Sequence, residues 1–519
     1  MIAATARRRV SHQTWIFPLG MAVYAVAFLL LYPKVPAIVD EHSYLTQALL
    51  FRTGHITYEN SSIPAPQLSV TMTVPKLRVQ NTEYRTFRRN AGREALKTQL
   101  SAETLGVEPT GRIASKYPPG TSLFLLPFTL PGWRWAFLSG LVLALLGTWL
   151  FWQVFVRLEP SANPAWALLY LFYPAVVLYS RTLMSDLLSA TVLLATFYLL
   201  LRFGERPIGA GLCLGFACLV RYSNVVALPA FVALIALSPG RRLRRMVYFC
   251  VGTAVFGIVI LGYNTYCYGG PLSFPWHLTG TLDPAFLTGN LAFYLPALLF
   301  LYPLMLLAPL AAGKYRLALS LPAYTLLLPA LFFSYIPSLS AGATGLAIGL
   351  RYLLPATPFF TLAYALAAHR LTTTVHGTEP VKYAFLGLIF ALSLVIQFVH
   401  ARYLETQDRY RRLVLGSVPE AALLVCNARV SEFLSAAWGW RDYIHFTEHN
   451  VPVPVDRAIS ARDTVYAAIL ETKVSRAGPE LVVFGALLAR HPGRVLVSQT
   501  DRPCWFRVFR LKPVECSPN

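Results

Sequence analysis

Charged residues are scarce in this 519-residue chain. Asp, Glu, Lys and Arg make up 13% of it, whereas hydrophobic residues make up 55%. A water-soluble protein has about a quarter charged residues. Apolar runs of about 17 to 25 residues, long enough to cross a bilayer, recur along the chain. The sequence therefore predicts a polytopic membrane protein.

Several sequence signatures are also absent. No CxxC pair is available for a zinc site, and neither GxGxxG nor the P-loop pattern GxxxxGK[ST] occurs. Nothing therefore indicates a bound nucleotide. The seven cysteines are scattered, and the sequence does not assign the disulfide state of Cys426, Cys504 and Cys516.

The net charge of +21 has three readings. In a soluble protein it would suggest nucleic acid, but no interleaved basic and aromatic pattern is present, so no nucleic-acid partner is expected. Lys and Arg at the ends of apolar runs mark the cytoplasmic side of a membrane protein. They can also attract anionic lipid headgroups or phosphates.

The apolar runs predict about eleven transmembrane helices in a cytoplasmic (inner) membrane. The basic run RRLRR at 241–245 is the strongest cytoplasmic signal, and it places the N-terminus inside and the C-terminus outside the cytoplasm. The apolar segment 118–132 is shorter than a crossing, so we expect it to lie in the outer leaflet. The predicted spans are 14–33, 134–156, 163–181, 185–203, 207–221, 223–238, 246–266, 289–312, 316–335, 351–368 and 382–400.

The chain changes character after residue 400. Residues 1–400 form the predicted transmembrane domain, with an extracytoplasmic loop and amphipathic helices at 34–132. In 401–519, AALLVC, RVLVSQ and CWFRVFRLKP are typical of strands, and ELVVFGALLAR of a strand running into a helix. This part is predicted to be a small extracytoplasmic α/β domain.

Two adjacent acids, Asp40 and Glu41, begin an amphipathic segment just after the first span. One acid there can cap the helix and favour its dipole. The acid that does not cap the helix is then available to accept a proton from a substrate. Capping alone and a catalytic role are the two readings of this pair; both Asp40 and Glu41 are catalytic candidates, and Asp40 is the expected base.

Asp186 lies where the third span is predicted to meet the outer surface, on the same side as Asp40. An ionised Asp at the centre of a span costs roughly 2.5 to 3.5 kcal/mol, and less near the interface. Asp186 or Ser185 could instead be the N-cap of the next span. Its predicted place on the same outer face as Asp40 favours a joint site.

Lys116 and Tyr117 precede two prolines that break any helix. They are either interfacial anchors or contacts to a phosphate. Arg351 begins the tenth span and is either a side chain reaching toward the headgroups or a cation aimed at a phosphate. Arg221, between the fifth and sixth spans, has the same two readings.

The outer loop 267–290 adds two weaker candidates, His277 and Asp283. Together, acids and cations on one outer face suit group transfer, because an acid can deprotonate a nucleophile and cations can stabilise a phosphate leaving group. A lipid-linked phosphate would remain in the bilayer, since each buried CH₂ contributes about 0.8 kcal/mol.

The order of these motifs resembles the GT-C class of membrane glycosyltransferases, in particular protein O-mannosyltransferases and lipid A aminoarabinose transferases. The resembling segments spread over about 1–400 and are DEHSYLTQA, KYPPGTSLFLLPF, YSRTLMSDLLSATVLL, GLCLGFACLVRYSNVVALPA and GLRYLLPATPF.

The resemblance implies a GT-C-like fold, a polyprenyl-phosphate sugar donor, and a lipid, glycan or protein acceptor outside the cytoplasm. It implies that Asp40 is the catalytic base and Asp186 a second acid of the site, with Lys116 and Arg351 on the donor phosphate. Such enzymes generally invert the anomeric centre, and they differ in whether a divalent metal assists, so no cofactor is assigned.

Two other classes remain open. A transporter or flippase of a lipid-linked saccharide would need charges along a path near the midplane and paired broken helices. A non-catalytic assembly protein is the third reading.

Overall fold

The structure is a computed structural model. It describes residues 15–36, 38–57, 84–88, 111–115, 117–272, 283–302, 305–333, 350–374, 379–419, 422–426, 430, 443–445, 465–471, 479–491, 494–500 and 505–511.

The described part of the first 417 residues is mainly helical. Its helices are α1 Ile16–Leu30, α2 Val39–Arg52, α3 Gly120–Thr129, α4 Leu138–Leu158, α5 Leu168–Leu171, α6 Pro174–Tyr179, α7 Ser185–Arg202, α8 Ile208–Val220, α9 Ala227–Leu237, α10 Arg242–Tyr268, α11 Leu287–Leu301, α12 Arg316–Phe332, α13 Thr357–Thr374 and α14 Glu379–Ser417. Strands β1 (Tyr84–Arg88) and β2 (Gly111–Ser115) form a two-stranded antiparallel sheet.

Five of the described helical segments are long and apolar enough to cross a membrane, namely Trp133–Leu158, Ser185–Arg202, Arg242–Tyr268, Gly313–Phe332 and Pro380–Ser417. Shorter apolar helices of 10–17 residues accompany them. The predicted helical membrane fold is confirmed, whereas the predicted number of eleven spans stays a prediction.

Helix α3 covers the apolar segment for which no crossing is predicted. It has 10 residues, and at about 1.5 Å of rise per residue it is only about half as long as the hydrocarbon core is thick. It packs against α2.

The predicted span 163–181 is not one continuous helix. A 3₁₀ turn at Pro164–Ala167, α5 and α6 follow one another there, and α6 begins at Pro174. Proline has no N–H to donate and its ring clashes with the preceding turn, but it is well suited to the first position of a helix. The span was predicted from its apolar composition, which does not show whether a helix is continuous.

The C-terminal part contains a five-stranded sheet in the order β4-β3-β5-β7-β6. Its strands are β3 Leu423–Cys426, β4 Tyr443–His445, β5 Val465–Glu471, β6 Val495–Thr500 and β7 Trp505–Leu511. Strands β4, β3 and β5 are parallel, and β7 is antiparallel to both β5 and β6. The three segments predicted to be strands are confirmed.

The segment ELVVFGALLAR was predicted to begin as a strand, and this is wrong. Helix α15 covers Pro479–Ala489 throughout. Leu-Val-Val-Phe favours a strand by intrinsic propensity, but Pro479 at the first helical position and the packing of the helix on the sheet override it. Phe484, for example, packs against Phe509 of β7. The domain boundary predicted at residue 400 falls within α14 and stays a prediction.

Small residues bring α8 and α10 into close contact. A Cβ added to Gly211 would lie 2.0 Å from the carbonyl oxygen of Phe249, and one added to Gly252 would lie 2.3 Å from that of Ile208. Such contacts between backbones are the usual way that membrane helices pack tightly. They hold the first turns of α8, the helix that Arg221 follows, against α10.

We expect Gly252→Ala to lower the free energy of unfolding by about 1–3 kcal/mol, because the added methyl group must displace the backbone of α8. Unfolding in mixed detergent micelles measures this. Gly257→Ala is the matched control on the same helix, since nothing lies within 4 Å of its added Cβ. Equal stability of the two variants would contradict the close contact.

Candidate functional site

The two adjacent acids at the start of α2 have different environments. Glu41 accepts a hydrogen bond from the backbone N–H of Ile38, the N-cap residue, at 2.8 Å. The side chain of Glu41 thus supplies the capping interaction that either acid could have provided. Asp40 instead directs its carboxylate toward Arg351.

Glu41 also joins α2 to a second segment. Its other carboxylate oxygen accepts from the backbone N–H of Leu183 at 2.8 Å, and the residue is only 1% exposed. Leu183 lies three residues before Asp186. Glu41 therefore holds the segment carrying Asp40 against the segment carrying Asp186.

Asp186 is in the first turn of α7 and is fully buried. The N-cap of this helix is Met184, which makes no side-chain capping bond, so neither Ser185 nor Asp186 is the cap. One carboxylate oxygen of Asp186 accepts a hydrogen bond from Arg221. Its other oxygen has no hydrogen-bond partner in the part of the chain that the structure describes.

Arg351 lies between the two aspartates. Its Nη2 donates to Oδ2 of Asp40 at 2.7 Å, and its Nε is 3.8 Å from Oδ2 of Asp186. The resulting chain of charges runs from Asp40 through Arg351 and Asp186 to Arg221. Two carboxylates and two guanidinium groups make it electrically neutral in sum. We call these four residues the charge cluster.

The charge cluster is assembled from four places in the sequence. The acids come from the starts of α2 and α7, Arg221 follows the end of α8, and Arg351 lies in a helical turn at 350–353 before α13. The side chains of Asp40, Arg351 and Arg221 are 15–17% exposed, whereas that of Asp186 is 0% exposed. The cluster is thus accessible at Asp40 and closed at Asp186.

Tyr352 is part of the site and was not predicted from the sequence. The guanidinium carbons of Arg351 and Arg221 lie 5.0 and 5.9 Å from the centre of its ring. An aromatic ring attracts a cation over its π-face, so Tyr352 favours the presence of both guanidinium groups at the site. The dipeptide Arg-Tyr occurs at 221–222 and 351–352, but it also occurs at 402–403 and 409–410, so it is a weak sequence signal for this site.

Tyr44 also was not predicted, and it connects α2 to α7. Its hydroxyl donates to Oγ of Ser185 at 3.1 Å. Burial raises the pKa of Tyr44, and the nearby Asp40 carboxylate raises it further, so this hydroxyl stays neutral. It acts as a hydrogen-bond donor beside Asp186.

The end of β2 contacts α2 through hydroxyl groups. Ser43 and Ser115 are 2.9 Å apart between their Oγ atoms, and the ring of Tyr117 lies 4.8 Å from that of Tyr44. Tyr117 is buried, and its backbone N–H donates to Ser115. Lys116 lies outside the described residues. The structure therefore puts one of the two predicted phosphate contacts of this segment beside α2.

Of the two candidates from the outer loop, only Asp283 lies in the described structure, and its hydrogen bonds in this part of the chain do not involve the charge cluster. His277 lies outside the described residues. The side chain of Asp283 accepts from the backbone N–H of Ala285 at 2.8 Å and caps the 3₁₀ turn Pro284–Phe286. Its backbone N–H donates to the carbonyl of Phe332 at the end of α12.

No group of three or more His, Cys, Asp or Glu side chains in the described ranges is arranged to hold a metal ion. The carboxylates of the charge cluster have guanidinium groups as their neighbours. The arrangement can accept a proton at Asp40 and can bind an anion through the two arginines.

We expect Glu41→Gln to lower the free energy of unfolding by about 1.5–3 kcal/mol, because the amide nitrogen cannot accept the hydrogen bond that one of the two backbone N–H groups donates. Thermal unfolding in detergent measures this. Glu405→Gln is the matched control, since Glu405 is part of exposed ion pairs with Arg402 and Arg409 on α14. A Glu41→Gln variant as stable as the control would contradict the bridging role of Glu41.

No family model and no curated protein sequence matches the chain. Among solved structures, the fold is similar to the crystal structure of ArnT from Cupriavidus metallidurans bound to undecaprenyl phosphate. The TM-score is 0.62 at 13% sequence identity, over 98% of this chain and 100% of that one. A mycobacterial arabinofuranosyltransferase, AftD, matches with a TM-score of 0.46 at 12% identity, over 96% of this chain and 42% of AftD. The full-length similarity to ArnT confirms that this chain has the GT-C-like membrane fold predicted from its sequence.

Proposed function

We propose that this protein is a glycosyltransferase that moves a sugar from a polyprenyl-phosphate donor to an acceptor on the extracytoplasmic side of the membrane. The acceptor belongs to the lipid, glycan or protein class. Asp40 accepts the proton of the acceptor hydroxyl group, and the two arginines stabilise the phosphate that leaves.

The observation that carries this proposal is the position of Arg351 between Asp40 and Asp186. A base and a phosphate-binding cation must lie within a few ångströms of each other if one displacement is to use both. Arg351 contacts Asp40 at 2.7 Å. The GT-C-like fold adds support, because its full-length neighbour ArnT is described with bound undecaprenyl phosphate.

The four charged residues have distinct roles in this scheme. Asp40 is the better placed of the two aspartates to act as the base, since its side chain is 16% exposed while that of Asp186 is 0% exposed. Asp186 orients Arg221 through a hydrogen bond to one oxygen, and its other oxygen lies 3.8 Å from Nε of Arg351. A guanidinium group so oriented offers paired N–H donors to a phosphate, which a flexible ammonium group cannot do.

The reaction is a single displacement in this proposal. The acceptor oxygen attacks the anomeric carbon, the bond from that carbon to the phosphate oxygen breaks, and the configuration inverts. The donor phosphodiester carries one negative charge, and the polyprenyl phosphate product carries about one and a half to two. Cations near the leaving oxygen are therefore most effective in the transition state, where this charge develops.

The remaining predicted contacts keep their proposed roles. Lys116 and Tyr117 would bind the donor phosphate from the side of β2, and His277 and Asp283 would belong to the loop that faces the donor or acceptor. Glu41, predicted as catalytic with Asp40, acts here by positioning, because both of its oxygens accept backbone hydrogen bonds. A divalent metal stays outside the scheme.

We expect Asp40→Asn to leave a folded, membrane-inserted protein whose transfer rate falls by about 10²- to 10⁴-fold, the usual effect of removing a general base. Transfer of radiolabelled sugar from a polyprenyl-phosphate donor, in membranes from a strain that supplies the acceptor, measures this.

The matched control is Asp408→Asn. Asp408 is also paired with arginines, Arg411 and Arg412, but on α14. This control should keep normal transfer. Normal transfer by the Asp40→Asn variant would contradict the proposal, and movement of the intact donor across the membrane without sugar transfer would favour a flippase.

The proposed orientation has its own test. In a variant whose native cysteines are replaced, a cysteine at exposed Thr53 should react with an impermeant maleimide in intact cells. A cysteine at exposed Arg241 should react only after permeabilisation. The opposite pattern would put the charge cluster on the cytoplasmic side and contradict an extracytoplasmic acceptor.

A further inference from the structure

In the structure, the guanidinium group of Arg351 is hydrogen-bonded to Asp40, the residue proposed as the base. Its Nη2 donates to Oδ2 of Asp40 at 2.7 Å. A carboxylate that accepts a hydrogen bond from a guanidinium group is held in its charged form, which makes it a weaker base. A resting site of this kind is poorly prepared to deprotonate an acceptor.

Arg351 also lacks a good alternative partner within the cluster. Its Nε has no hydrogen bond in the described part of the chain and stands 3.8 Å from Asp186, whose Oδ2 is likewise without a hydrogen-bond partner there. An orphaned donor that is buried is costly. An incoming phosphate with several oxygens could satisfy both Nε and Nη2 of Arg351 at once.

We infer that the donor phosphate displaces Asp40 from Arg351, so that binding of the donor releases the base for the acceptor. This inference rests on the proposed function. It gives Arg351 a second role, in which the same guanidinium group restrains Asp40 before the donor binds and stabilises the leaving phosphate afterwards. The donor must then bind before the acceptor can be activated.

The proton, the electrons of the broken bond and the partner of Arg351 can each be followed through the reaction. As the acceptor oxygen bonds to the anomeric carbon, its proton passes to Asp40, and the electrons of the broken bond remain on the polyprenyl phosphate. Protonated Asp40 no longer competes for Arg351, which stays with the more highly charged product. When Asp40 loses its proton, it can return to Arg351 and favour release of the product.

The inference makes a prediction that a merely structural role for Asp40 would not make. Removing the competing carboxylate should strengthen phosphate binding while it lowers the rate of transfer. We expect Asp40→Asn to bind undecaprenyl phosphate about tenfold more tightly than the unmodified protein, equivalent to about 1.4 kcal/mol. Asp40→Ala removes the same carboxylate and serves as a second variant if the Asn variant is unstable.

Removing the negative charge of Asp40 would also remove its repulsion of the phosphate, and this alone could tighten binding. A double-mutant cycle separates that effect from an exchange at Arg351. Binding of undecaprenyl phosphate in detergent is measured for the unmodified protein, Asp40→Asn, Arg351→Gln and the double variant. An exchange through Arg351 predicts that the tenfold gain disappears in the Arg351→Gln background. A gain that persists there is simple repulsion and overturns the inference.

The outcomes also separate this inference from the proposed function. Unchanged or weaker binding by a folded Asp40→Asn variant that has lost transfer would overturn the exchange and leave Asp40 as the base. An Asp40→Asn variant that transfers sugar normally would overturn the proposed function itself. Tighter binding that depends on Arg351, together with lost transfer, is the expected result.

Discussion

The ion pair between Arg351 and Asp40 is the interaction on which the site depends. It joins the start of α2 to the turn before α13, two segments more than three hundred residues apart in the chain. Arg351 continues the contact to Asp186, and Asp186 to Arg221. Removing one member of a buried ion pair leaves an uncompensated charge, so the four residues constrain one another. Four elements of a mostly apolar protein are thereby held around one small polar volume.

The two adjacent acids differ in role: Glu41 positions the start of α2, and Asp40 is the proposed base. Glu41 is 1% exposed and accepts two backbone hydrogen bonds, one within its own helix and one from the loop before α7. These bonds leave it little freedom. Asp40, one residue earlier, is partly exposed and accepts a hydrogen bond from the Arg351 side chain, which can change its partner more easily than a backbone amide can. A rigid acid beside an adaptable one suits a base that must change its partner during a reaction.

The fold places looser requirements on the sequence than the site does. A fold can persist at 13% identity with ArnT because a helical membrane domain requires apolar runs of the right length, and many sequences satisfy that requirement. A site requires specific groups at specific distances. The case for function therefore comes from the charge cluster and its geometry, and the fold only supports it.

The sequence by itself determined the membrane class, the helical fold, the small C-terminal sheet, and the residue types worth attention, because these follow from apolar length, periodicity and the cost of charges near a bilayer. It identified Asp40, Asp186, Arg221 and Arg351 as candidates. Only the tertiary structure decided that Glu41 rather than Asp40 caps α2, that Arg351 lies between the two aspartates, and that both arginines lie over the ring of Tyr352. It also showed that proline divides the span predicted at 163–181 and that the segment after Pro479 is wholly helical. These outcomes depend on which distant residues become neighbours, and local composition holds no information about that.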